Sequence, residues 1–70
     1  MQIRTIEEAR TLVGRTFERD GKRRTVTEVN DCWDGIAVWW RTGIGFHADM
    51  AWQFSEEFND WLSGATEVTQ

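Results

Sequence analysis

Asp20-Gly21 constrains this chain more than any other pair of its residues. Both residue types accept positive φ, and two such positions in a row form the tight turn whose twist matches that of paired strands. The turn joins residues 15–19 to residues 22–29, the second run rich in β-branched Thr25, Val26, Thr27 and Val29. A hairpin follows. Val26 and Val29 cannot share a face of an unbroken strand, so a bulge or a strand end is expected near Thr27-Glu28.

Residues 36–41, Ile-Ala-Val-Trp-Trp-Arg, read as the strongest strand. Ile36, Val38 and Trp40 face one way, and Ala37, Trp39 and Arg41 the other. Between the hairpin and this strand, Asn30-Asp31-Cys32-Trp33-Asp34-Gly35 reads as a loop of turn-forming residues. Thr42-Gly43-Ile44-Gly45 breaks the strand, and residues 46–50 are expected to return as a short one.

Helices are expected at both ends. Thr5 with Glu8 makes a capping box, Ile6, Ala9, Leu12 and Val13 follow at helical spacing, and Gly14 suits the left-handed stop. Further on, Ser55 suits an N-cap, and Glu56 and Glu57 suit the positive end of the helix dipole. Phe54, Phe58, Trp61 and Leu62 then form an apolar stripe that Gly64 closes. Residues 65–69 either add a strand or fray. The expected class is α+β: a short antiparallel sheet of three to four strands with an N-terminal and a C-terminal helix. Both a flat sheet and an SH3-like barrel fit this order.

Seventy residues suffice for one small domain spanning 1–70. The single cysteine, Cys32, excludes an intramolecular disulfide, so stability must come from apolar packing. The first ten residues lack the apolar core of a secretory signal. The longest apolar run, residues 36–40, falls far below the ~20 residues that span a bilayer. No membrane partner is expected.

The net charge of −4 conceals a polarity. Residues 1–24 carry seven of the eight basic residues and four of the twelve acidic ones, or +3, which leaves −7 on residues 25–70. Arg15, Arg19, Lys22, Arg23 and Arg24 crowd the hairpin and could grip phosphate. Solvation or ordinary pairing with Glu18, Asp20 and other acids explains them more simply, and an isoelectric point near 4.8 argues against a nucleic-acid-binding domain. Glu28, Asp31, Asp34, Asp49, Glu56, Glu57, Asp60 and Glu67 offer the opposite possibility, an acidic surface that competes with phosphates for a basic groove. Turn chemistry and helix capping account for many of these acids one by one. They account less well for a single cation, Arg41, in the last 46 residues.

Five tryptophans are more than a domain of this size can enclose. Trp40 and Trp61 have core periodicity, whereas Trp33, in a polar loop, and Trp39, opposite Ile36 and Val38, are candidates for contact with a partner. Cys32, His47 and Asp49 are ligand types without metal-binding spacing, so no metal and no cofactor is expected. Gly43-Ile44-Gly45 lacks the third glycine and following helix of a phosphate loop. Catalysis by Cys32 would require His47 beside it. The chain is not expected to be an enzyme.

In size, acidity, absence of proline and disulfides, and α+β layout, the chain resembles the small anti-defence proteins that phages encode, of which anti-CRISPR inhibitors are the best-known group. The resemblance is one of type, across the capped helix of residues 5–13, the Asp20-Gly21 hairpin, the strand of residues 36–41 and the acidic helix of residues 55–63. It implies stoichiometric inhibition in the host cytoplasm by binding a host protein complex, a CRISPR effector or another nucleic-acid-handling defence protein. The expected partner surface comprises Asp31, Trp33, Asp34, Trp39, Asp49, Glu56, Glu57 and Asp60. The alternative is a nucleic-acid-binding module that uses Arg19, Lys22, Arg23 and Arg24 with an exposed tryptophan. Both a monomer and a homodimer paired through a sheet edge are compatible with the sequence.

Overall fold

The computed structural model describes residues 2–42 and 49–68. Its elements are α1 (Ile6–Arg10), β1 (Thr16–Arg19), β2 (Lys22–Cys32), β3 (Gly35–Thr42), β4 (Asp49–Phe54), α2 (Ser55–Ser63) and β5 (Thr66–Val68). The fold is α+β. Its antiparallel sheet runs in the order β4-β3-β2-β1-β5. Five strands replace the expected three to four, and the sheet is open, with β4 and β5 as its edges rather than closed as a barrel.

Local chemistry sets the hairpins. Asp20 and Gly21 adopt φ of 53° and 77° and join β1 to β2. The β2–β3 register shifts between Val26 and Glu28, so that Val26 pairs with Trp40 and Val29 with Val38 on one face. The expected bulge is therefore present, at Thr27. The predicted loop at 30–35 is mostly strand. Asn30, Asp31 and Cys32 pair with Ala37, Ile36 and Gly35, which leaves Trp33-Asp34 as a two-residue turn. Cross-strand pairing overrides the turn preference of Asn30 and Asp31 because both extended partners are present.

The return strand starts later than residues 46–50 suggest. Phe46, His47 and Ala48 lie outside the described residues, as do Gly43, Ile44 and Gly45, and β4 runs from Asp49 through Phe54. Phe54 thus belongs to a strand, and its backbone, not Ser55, occupies the N-cap of α2 without a side-chain cap bond. Nor is the second helix terminal. It carries the chain across the sheet to β5, which pairs with β1 at the far edge.

One face of the sheet carries the helices. Val26, Val38 and Trp40 are buried there with Ile3, Ala9, Leu12, Phe17, Phe58 and Leu62. Phe58 sits between the rings of Trp40 and Trp61, with centroids 5.5 and 5.8 Å away. The first helix is shorter than its periodicity predicts. Thr5 Oγ1 accepts from the Glu8 amide at 3.2 Å, but the helix ends at Arg10 and leaves Val13 exposed. Asn59 of α2 binds both backbone groups of Ile3, accepting at 2.7 Å and donating at 3.0 Å. That pair of bonds fixes the N-terminal arm against α2.

Candidate functional site on the open sheet face

Side chains alternate along a strand, so burial of Val38 and Trp40 turns Ala37, Trp39 and Arg41 to the face without helices. Trp39 pairs with Trp52 of β4, Ala37 with Phe54, and Arg41 with Met50. The result is an aromatic ladder. Trp39 and Trp52 lie 6.0 Å apart between ring centroids, and Trp52 meets Phe54 edge-on at 5.1 Å. Two small residues make room for it. Phe54 lies across Ala37, and a Cβ on Gly35 would come within 3.1 Å of its ring.

The ladder is incompletely covered. Trp52 retains 46% of its surface and Met50 retains 59%. Charged side chains of both signs surround it, with Glu28 beside Trp39 and Arg41 beside Met50. Farther across the same face, Arg23 donates to Glu18 at 3.3 Å, and the Thr16 and Thr25 hydroxyls meet at 2.8 Å. An apolar aromatic centre inside a mixed polar rim is the anatomy of a protein-binding hot spot.

Trp39 is the one residue of the expected acidic and aromatic surface that joins this ladder. Trp33 and Asp34 form the β2–β3 turn, where Trp33 is 97% exposed. Asp31 and Asp49 pair with Ile36 and Thr42, which places them on the helix side of the sheet. Glu56, Glu57 and Asp60 are exposed on α2, also on that side. These acids therefore do not converge with Trp39 on one face. Sequence reasoning missed Trp52, Met50 and Phe54. Their period-two spacing is a strand signal, but the fit of Phe54 to helical spacing with Phe58, Trp61 and Leu62 competes with it.

Most hairpin cations are held within the fold. Arg19 donates to the Asp60 and Trp61 carbonyls at 3.0 and 3.1 Å, a cation supplied from β1 to the C-terminal end of a helix that has none in its last turn. Arg24 lies between the Trp40 and Trp61 rings, 4.1 and 4.4 Å from their centroids, and donates to Gln53 at 3.2 Å. Desolvation, and then repulsion from Arg19, lowers its pKa. Arg15 forms a bidentate pair with Glu67, which raises the arginine's pKa and lowers the carboxyl's, chiefly through the hydrogen bonds. Lys22 is exposed and has no carboxylate partner among the described residues.

Cys32 is exposed at the end of β2, and His47 lies outside the described residues, so their pairing does too. Among the described residues, no three His, Cys, Asp or Glu side chains gather to hold a metal. No helix among them is long and apolar enough to cross a membrane. No protein-family model, curated protein or solved structure matches this chain.

Proposed function

We propose that this is a non-enzymatic binding protein that holds a partner protein on the open face of its sheet, with Trp39, Trp52, Phe54 and Met50 at the centre of the contact. The observation that carries the reading is the Trp39–Trp52–Phe54 ladder, left only partly covered while the helices pack on the opposite face. Large rigid aromatics give up little conformational entropy on binding and contribute much apolar area, which is why they dominate interface energetics. The likeness to phage anti-defence proteins supplies the partner class, a nucleic-acid-handling host complex inhibited by occlusion. The excess acid of residues 25–70 would speed approach to a basic groove.

A nucleic-acid platform is the competing reading, since aromatics on a sheet also stack bases. It is less well supported, because Arg15, Arg19, Arg23 and Arg24 all have intramolecular partners. The test is co-purification from host extract with identification by mass spectrometry, using the wild type, Trp39→Ala and Trp52→Ala. A nucleic-acid-handling protein retained by the wild type, and reduced at least about tenfold in both variants, is the expected result. Equal retention by all three refutes the face as the contact. Salt-sensitive binding of labelled single-stranded DNA or RNA by the free protein, lost in the same variants, would favour the platform instead.

A further inference from the structure

The two edges of the sheet are unlike. β5 is three residues long, and its central Glu67 is tied to Arg15. β4 is six residues long, and Asp49, Met50, Ala51 and Trp52 are exposed in succession, on both sides of the strand. Natural edges are protected by shortness, by lysine or proline, or by bulges. β4 has none of these: its register with β3 is unbroken, and its one charge, Asp49, stands at its start.

The geometry points to this edge as the contact through which two copies of the chain pair, antiparallel about a two-fold axis at Ala51. In that register every opposed pair among the described residues is matched. Ala51 meets Ala51, the smallest side chain of the strand, at the axis. Met50 meets Trp52 on the open face, a sulfur–aromatic contact. Asp49 meets Gln53 on the helix side. Gln53 accepts from Arg24 through its oxygen, which leaves its N–H2 group to donate to the carboxylate. The two Asp49 side chains lie at opposite ends and do not repel. A two-fold pairing also closes, because it consumes the long edge of each copy and leaves only the short β5 edges outward.

The ten-stranded sheet so formed presents both aromatic ladders on one continuous face. The inference does not require the partner-binding reading, because it rests on the backbone edge of β4, although Met50 and Trp52 contribute to both surfaces. Five residues of strand pairing from each copy bury less than a standard interface, so the dimer should be weak.

Sedimentation equilibrium across a concentration series up to about 1 mM tests it. The expected result is a reversible monomer–dimer equilibrium. Ala51→Lys places like charges across the axis and should weaken it at least about tenfold, while Trp39→Ala leaves it unchanged. In a Cys32→Ser background, Ala51→Cys should form disulfide-linked dimers on mild oxidation far faster than Lys22→Cys, a readout that does not depend on how the lysine variant folds. A monomer at every concentration overturns the inference. So does a dimer that survives Ala51→Lys and is lost in Trp39→Ala, which would mean face-to-face association. Cross-linking at position 51 no faster than at position 22 has the same consequence.

Discussion

Replacing Gly64 with alanine separates two roles for Arg19, one as a structural clamp on α2 and the other as a free cation of the hairpin. Gly64 has φ −106°, a conformation any residue adopts, so backbone strain does not enter. On an unobstructed site, Gly→Ala would stabilise by about 0.4–1 kcal/mol through the unfolded state. Here the new Cβ would stand 2.9 Å from both Cζ and Nε of Arg19. The guanidinium must move, and moving it breaks the bonds to the Asp60 and Trp61 carbonyls. Charge-assisted bonds contribute about 1.5–3 kcal/mol when dry, and partial exposure reduces that to roughly 1 kcal/mol each at this site. The net expectation for Gly64→Ala is a loss of about 1 kcal/mol, or about 4–8 °C in Tm for a domain of this size.

In an Arg19→Ala background the obstruction is gone, and the same substitution should stabilise by about 0.5 kcal/mol. The double-mutant coupling is then about 1.5 kcal/mol, measured by urea unfolding of the wild type, both single variants and the double variant. Equal costs for Gly64→Ala in the two backgrounds, within about 0.5 kcal/mol, would refute the clamp. It would also return Arg19 to the pool of cations free for a ligand.

Three further outcomes are expected. Thr27→Val should stabilise by about 1 kcal/mol in thermal unfolding, because the buried Thr27 hydroxyl has no hydrogen-bond partner among the described residues and valine keeps its shape. Trp52→Thr should cost at most about 1.5 kcal/mol, whereas Phe58→Ala, fully buried, should cost about 3–5 kcal/mol and leave much of the chain unfolded. The carboxyl of Glu67 has a lower pKa folded than unfolded, so the unfolded chain takes up that proton first. Its contribution is therefore present above the ordinary carboxylate range and lost as pH falls through and below it. Glu67→Gln should flatten the pH dependence of Tm in that window while leaving its slope near neutrality unchanged.

The elements that can be read from sequence are those whose cause is local. Asp20-Gly21 announces its turn because both residue types accept the left-handed φ that a type I′ hairpin turn requires at its two central positions. Val26 and Val29 announce the bulge because a period of two cannot put them on one face. Trp40 and Trp61 show their packing side by periodicity alone. Where two periods fit the same residue, sequence cannot arbitrate. Phe54 suits both the helical stripe with Phe58 and the strand alternation with Met50 and Trp52, and the choice between them hides half of the aromatic ladder. Asn30 and Asp31 have turn propensity, yet extended partners across the sheet draw them into β2.

The sequence by itself determines that this is a small α+β domain with more tryptophan than it can enclose and an uneven division of charge. The tertiary structure alone decides where those features go. It sends Glu56, Glu57 and Asp60 to the side opposite Trp39, engages Arg19 and Arg24 against α2 and its tryptophan, and sets Trp52 beside Trp39. Composition is a property of the chain, but a surface depends on which strand lies next to which. That pairing is settled by burial of Phe58, Val26, Val38 and Leu12 together, a long-range condition that no local window of residues contains.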